Sequence, residues 1–300
     1  MKPTLILSRG LTAFALLITL VLPSCKKEST GNDPASTDPT SESLAITESR
    51  DEAETDAQYD DVFNITASMN SKQTGEDLGV GVNVSGLFEL GDVSGNVTGR
   101  CFTITVAPAI PHVFPKTVTI DFGDGCLCRD GKYRKGKIVS IYTNPMQVPG
   151  AITSTTFVNY YVDSFKIEGT HISENTSTSN MQGWKLSVID GKITNTASGR
   201  WRKWNSTKSV LQVEGNGTSH YPLDDVYKIT GSARSLNSAG HTWASLVVEP
   251  LIKKFTCRWI VKGTVRLFKD GQEALLDYGN GDCDNQAIIY VNGIPHPVTL

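Results

Sequence analysis

The sequence lacks any apolar run long enough to cross a bilayer. Its longest, Leu11–Leu22, covers about twelve residues broken only by threonine, against the roughly 20 that a spanning helix needs. The five histidines, His112, His171, His220, His241 and His296, are scattered. With no His-Glu-x-x-His and no close pair, they read as ordinary surface or strand residues rather than metal ligands. No Gly-x-Ser-x-Gly elbow is present, which removes the commonest serine-hydrolase signature. The nearest approach to a phosphate loop runs from Gly125 to Lys132. It has one residue too many between its glycines and Tyr133 where a hydroxyl must bind metal. An excess of positive charge is also missing: residues 62–300 hold 23 basic and 20 acidic residues, which argues against nucleic acid as a partner. No residue is nominated as catalytic, cofactor-binding or metal-binding, and no cofactor is expected.

What is present begins with the leader. Lys2 and Arg9 are the only charges before residue 26. A basic start, a short apolar core and a small residue before the cut make residues 1–24 a signal peptide. The string Leu22-Pro23-Ser24-Cys25 resembles the lipobox of bacterial lipoproteins, which implies lipidation of Cys25 as the first mature residue; a plain secretory signal is the alternative. Lys26-Lys27-Glu28 is similar to the short charged tag that follows the lipidated cysteine in surface lipoproteins of the Bacteroidota. Together these imply a protein held in the outer membrane by acyl chains in the lipid bilayer, facing out of the cell, with the periplasmic face as the alternative.

Residues 25–45 read as the lipidated cysteine and a disordered tether. Between 26 and 44 only Ala35 and Leu44 are apolar, too little to offset the entropy of ordering the chain. Removing the leader leaves 26 basic against 31 acidic residues, and eleven of those acids fall within 28–61 with one base, Arg50. The acidity is expected to keep a stalk extended and soluble. Ala53, Ala57, Val62, Phe63 and Ala67 recur at helical spacing without Gly or Pro between them, which predicts one amphipathic helix within 46–70.

The remainder, 71–300, is written in strands. Val118, Ile120 and Phe122 alternate, and residues 157–167 are rich in aromatic and β-branched types. Asp130-Gly131, Asp190-Gly191, Asp270-Gly271 and Asn292-Gly293 each sit between alternating runs, the pattern of tight hairpins. Nothing alternates strand with helix, so a parallel doubly wound sheet is excluded. The expected fold is mainly β: a long antiparallel meander with one N-terminal helix, either a sandwich or a curved, partly closed barrel.

An internal duplication marks the body. Cys101 precedes Asp121-Phe122-Gly123-Asp124-Gly125 by 20 residues, and Cys257 precedes Asp277-Tyr278-Gly279-Asn280-Gly281 by the same interval. Cysteines follow each motif: Cys126 and Cys128 in the first, Cys283 in the second. Two related units, about 95–145 and 250–300, are implied. The glycines and acids suit tight Asx-type turns. A calcium site built on Asp277, Asn280, Asp282 and Asp284, or on Asp121, Asp124 and Asp130, lacks the closing glutamate of the known loop. In an oxidising compartment the spacing predicts Cys257–Cys283, and Cys101 bonded to Cys126 or Cys128. A bond between Cys101 and Cys257 is the rival.

The string Asp121–Gly125 also resembles a turn of PKD-type immunoglobulin-like modules, without their later strands. A longer resemblance runs through residues 115–123, Arg134–Ile138, Gly199–Trp204, Asp224–Gly231, Cys257–Gly263 and Leu275–Gly293. It is similar to a family of uncharacterised, β-rich lipoproteins of the Bacteroidota. The resemblance implies an extracytoplasmic β domain and brings no activity or site residue with it; the Cys126-x-Cys128 pair departs from it.

Two further features bear on function. Trp201 and Trp204 differ by three positions, so a strand places them on opposite faces. One is expected in the core and the other as a stacking platform for a sugar or peptide. Asp224, Asp225 and Glu249 could pair as glycosidase carboxylates, but read better as solvated turn residues. The expected function is a non-enzymatic binding or scaffolding module with an outer-membrane protein or glycan as partner; a glycan-acting hydrolase is the alternative.

Overall fold

The computed structural model describes residues 39–67, 102–110, 112–128, 130–217 and 222–300. The expected signal peptide, the expected tether up to residue 38, Cys25, Cys101 and His220 lie outside them. Among the described residues one α-helix, α1 (Pro39–Ala67), precedes fourteen strands. These are β1 (Thr103–Ala107), β2 (Lys116–Asp121), β3 (Cys126–Leu127), β4 (Tyr133–Tyr142), β5 (Ile152–Val162), β6 (Phe165–Asn175) and β7 (Gly183–Asn195), followed by β8 (Trp201–Glu214), β9 (Val226–Asn237), β10 (Thr242–Lys254), β11 (Lys262–Lys269), β12 (Gln272–Asn280), β13 (Gln286–Val291) and β14 (Ile294–Thr299). All belong to one antiparallel sheet in chain order, with β3 set aside against β4 and with β1 and β14 at its two ends. The long meander with one N-terminal helix is therefore the fold. A single sheet removes the sandwich alternative, and the sheet does not close into a barrel.

The sheet curls around α1. Hydrogen bonds and ion pairs reach the helix from β4 (Tyr142 Oη to the Thr66 carbonyl, 2.9 Å), β6 (Tyr59 Oη to the Glu168 carbonyl, 2.8 Å), β8 (Arg202 to Glu48, 2.9 Å) and β10 (Ser245 Oγ to Glu52, 2.6 Å), and His296 of β14 approaches Glu42 at 3.1 Å. Such curvature needs bulges and glycine where neighbouring backbones close in. The strings Phe165–Thr170 and Tyr227–Ser232 supply two. Gly169 and Gly231 have φ of 105° and 152°. A Cβ on either would lie 2.6 Å from the Asp190 carbonyl oxygen or 2.4 Å from that of Thr207. The register between β6 and β7 shifts at Gly169.

Asp270-Gly271 and Asn292-Gly293 are the expected two-residue hairpin turns, each with positive φ at both positions. Asp190-Gly191 is not a turn. It is a bulge inside β7, where the register against β8 slips between Val188 and Gly191. Strands pair on both sides of it, so the dipeptide bends the sheet instead of reversing the chain.

The helix departs from expectation in two ways. It begins at Pro39, a residue suited to a first helical position, so the last residues assigned to the tether are helical. It is also buried nearly all round, with only Thr40, Ser43 and Arg50 fully exposed among its described side chains. Four of the acids read as part of a soluble stalk are interior: Glu48, Glu52, Asp56 and Asp61 are buried. Each meets a cation from the wall. Arg202 bonds Glu48 and Glu52 at 2.9 Å, Lys208 bonds Asp56 and lies 3.4 Å from Asp60, and Arg134 bonds Asp61 at 2.9 Å. The inward positions of β8 include Arg202, Trp204, Ser206 and Lys208. Six strand residues separate Arg202 from Lys208, about 20 Å, while Glu48 and Asp56 are about 12 Å apart along the helix, so each long side chain spans two acids one helical turn apart. Unpaired, such charges would cost several kcal/mol each.

Candidate functional site

An open cleft of about 580 Å³ lies at the N-terminal end of α1. Leu44, Glu48, Asp51 and Glu54 of α1 form one wall. Phe165 and Ile193 form the apolar floor, and the turns after β7 and β9 bring Asn195, Arg200, Trp201, Asn237 and His241. The two turns are built alike. Asn195 Oδ1 accepts from the amides of Ala197 and Ser198, both at 3.0 Å. Asn237 Oδ1 accepts from those of Ala239 and His241, also at 3.0 Å. Asparagine suits this place because its side chain caps the turn that follows it.

The arginines of the cleft are paired with its carboxylates. Arg200 Nη2 lies 2.5 Å from Asp51 Oδ2. Glu48 accepts from Arg202 and from Asn237 Nδ2, and Glu54 accepts from Gln58 Nε2 at 2.6 Å. Burial raises the pKa values of Glu48 and Asp51 above the usual carboxylate range, against the pull of Arg202 on the first and of Arg200 and Arg202 on the second. Trp201 sits half-buried at the rim. The ammonium groups of Lys192 and Lys203 lie 5.6 and 6.0 Å from its ring centroid. His241 Nδ1 is buried without a hydrogen-bond partner. Trp204, three residues on, is in the core at 1% exposure, so the two tryptophans divide as their spacing predicts.

Other sequence candidates are placed elsewhere. Asp225 accepts from Gln212 Nε2 at 2.6 Å and Tyr227 Oη at 2.8 Å, and burial lifts its pKa to about 6. Glu249 accepts from Thr264 at 2.9 Å. Asp225 lies level with Phe255, the residue just past β10, six positions beyond Glu249. At about 3.3 Å per residue the two are too far apart to act as one pair.

The duplicated motif makes the same side-chain hydrogen bond twice: Asp121 Oδ1 accepts from the Gly123 amide at 2.9 Å, at the end of β2, and Asp277 Oδ1 from the Gly279 amide at 2.8 Å, within β12. Among the described residues no cluster of three or more His, Cys, Asp or Glu is placed to hold a metal. Asp130 is instead bonded to Arg134 at 2.6 Å. Cys257 and Cys283 are joined, with Cα atoms 5.3 Å apart. Cys126 is disulfide-bonded, and its expected partner Cys101 lies outside the described residues. Cys128 keeps a buried thiol that bonds with Arg134, and burial raises its pKa.

Sequence reasoning did not assemble the cleft, because its residues span two hundred positions and meet only when the sheet curls. One signal was available. The strings Asn195-Thr-Ala-Ser-Gly199 and Asn237-Ser-Ala-Gly240 are near copies, each ending a long strand.

Among the described residues no helix is long and apolar enough to cross a membrane. Compared with known proteins, the chain matches no family model, no curated protein and no solved structure.

Proposed function

We propose that this chain is an outer-membrane lipoprotein, anchored through Cys25 and facing out of the cell, that binds glycan as a non-enzymatic module. The leader, the Leu-Pro-Ser-Cys string and the charged residues after it support the anchor. The cleft supports the module, and one observation carries the reading. Its guanidiniums are paired with carboxylates and Glu54 accepts from Gln58, which leaves the Trp201 indole and an apolar floor, rimmed by polar groups, to meet a ligand. That is a surface for a neutral, amphipathic molecule such as a saccharide, whose apolar ring face stacks on an aromatic while its hydroxyls meet planar polar groups. The test is calorimetric titration of the mature chain with a panel of oligosaccharides, repeated with Trp201→Ala. Binding that weakens about tenfold or more in the variant supports the reading. Absence of binding across the panel, or an unchanged variant, removes it.

A glycan-acting hydrolase is the second reading. It is favoured by Glu48 and Asp51, which stand one helical turn apart in the cleft with pKa values raised by burial. Release of new reducing ends by the wild type, lost in Asp51→Asn, would replace the first reading with this one.

A further inference from the structure

The outer face of the sheet carries a band of lysines and aromatic rings beside the cleft. The strand register assembles it. Lys135 of β4 stands opposite Tyr161 of β5, Tyr161 opposite Lys166 of β6, Lys166 opposite Thr194 of β7, and Thr194 opposite Trp201 of β8. In the next row Glu168 of β6 stands opposite Lys192 of β7, and Lys192 opposite Lys203 of β8. The chain neighbours of these residues, Arg134, Val162, Ile167, Ile193 and Arg202, are buried. Alternation therefore turns both rows away from α1.

The two rows carry four lysines and one acid. Glu168 accepts from Lys166 at 2.8 Å and lies 4.0 Å from Lys192. Lys135 and Lys203 are exposed and set against rings. Lys135 Nζ is 4.2 Å from the Tyr161 centroid, and Lys203 and Lys192 are 6.0 and 5.6 Å from that of Trp201. A carboxylate cancels the charge of an ammonium. A ring steadies the ammonium and leaves its charge and N–H donors to an anion. The acids beyond the rows lie at the margins: Asp163 in the turn after β5, where it accepts from the Tyr133 amide at 2.9 Å, and Asp190 in the bulge of β7.

We infer that the glycan proposed for the cleft is acidic, a uronate-bearing polysaccharide that passes Trp201 and crosses the outer face from β8 to β4. The inference rests on the glycan reading of the cleft, whose rim it shares at Trp201: an uncharged ring sits in the cleft, and the charged rings lie along the lysines. Three features fit this ligand. The band runs across the strands, and their spacing of about 4.8 Å is close to the advance of one sugar ring in an extended glycan. Cations and aromatic rings interleave along it, as carboxylates and apolar ring faces both recur along a polyuronate. Its cations are lysines, point charges that suit spaced carboxylates, whereas planar two-point recognition of phosphate favours arginine forks.

The test is calorimetric titration of the mature chain with galacturonate oligomers, with uncharged galactose oligomers of the same length and with polyglutamate, repeated on the double variant Lys135→Gln, Lys192→Gln. Both side chains lie on the outer face, and circular dichroism checks that the variant keeps the fold. The expected result is galacturonate bound about tenfold or more tighter than galactose. That preference should shrink as salt rises and fall toward one in the double variant. Galacturonate bound no tighter than galactose overturns the inference, while galactose binding that is weakened by Trp201→Ala keeps the cleft reading. Absence of all oligosaccharide binding overturns both. A preference unchanged in the double variant, or polyglutamate bound as tightly as galacturonate, also overturns the inference. Phosphatidylglycerol vesicles that bind the wild type but not the double variant, with no preference between the oligomers, would assign the band to a lipid surface instead.

Discussion

Tyr59 of α1 lies flat on Trp204 of β8, with ring centroids 5.3 Å apart and planes at 14°. The Tyr59 hydroxyl reaches over β7 to the Glu168 carbonyl. Gly191, in the bulge of β7, makes this approach possible. A Cβ there would stand 2.7 Å from the Tyr59 hydroxyl, 2.5 Å from a Val188 methyl and 2.6 Å from the Trp204 carbonyl oxygen. Two of those neighbours are held by the sheet and the helix and cannot swing away. Gly191→Ala is therefore expected to destabilise the fold by about 1–3 kcal/mol, read as a lower urea midpoint with an unchanged slope.

The ladder between α1 and β8 makes a second, two-part prediction. Lys208→Met leaves Asp56 buried beside Asp60 without its cation. Burial already raises Asp56 to about 7 against the attraction of Lys208. Breaking such a pair from one side costs about 3–5 kcal/mol, whereas replacing both partners with apolar residues is often near neutral. Lys208→Met should thus be strongly destabilised, and Lys208→Met with Asp56→Leu should recover most of the loss. Equal destabilisation of the single and double variants in urea titrations would refute pairing as the source.

These two cases show where the sequence is legible. Strand alternation, Asp-Gly and Asn-Gly turns and cysteine spacing are local, and they specify the meander, two of its hairpins and Cys257–Cys283. The acids of α1 could not be read in this way. Glu48, Glu52 and Asp56 look like solvated charges until Arg202 and Lys208, about 150 residues later, are set against them. The clue lay in β8 itself, where alternation persists but the inward set includes Arg202, Ser206 and Lys208 as well as Trp204 and Val210. A strand that turns arginine and lysine inward must face acid. Asp190-Gly191 misleads for a related reason: the same dipeptide serves a turn or a bulge, and which one depends on the strands to either side.

The bond between Cys257 and Cys283 closes a loop over a separation of 26 residues. In the chain-entropy account that stabilises the fold by about 3 kcal/mol. Replacing both cysteines with serine should lower stability by about that amount, and reduction of the wild type, which also opens the bond at Cys126, should lower it further. Non-reducing peptide maps should yield Cys257–Cys283 and Cys101–Cys126 peptides. A Cys101–Cys257 peptide would contradict this pairing.

Lipidation has its own measurement. Mass spectrometry of the membrane-extracted N-terminus is expected to show an acylated peptide beginning at Cys25, and Cys25→Ala should leave the membrane fraction. An unmodified peptide beginning upstream of residue 25 would remove the anchor.

His171 sets a dependence on pH. It lies on the inner face of β6 at 2% exposure, with the Phe63 ring 6.5 Å away and Asp60 and Lys208 as the charges that act on it. Burial lowers its pKa to about 4; Asp60 opposes the shift and Lys208 adds to it. Between about 4 and the ordinary 6.5 the unfolded chain takes up a proton that the folded chain refuses. The stability due to neutral His171 is therefore complete above pH 6.5 and is lost as pH falls toward 4, by up to about 1.4 kcal/mol per pH unit. Asp56 acts in the opposite sense, since a carboxyl raised to about 7 loses stability as pH rises toward that value. That contribution is common to the wild type and to His171→Gln, so the difference between them isolates the histidine. Urea titrations from pH 4 to 8 should show that difference widening as pH rises to 6.5 and flat above it; a difference that does not change with pH would mean that folding leaves the His171 pKa unshifted.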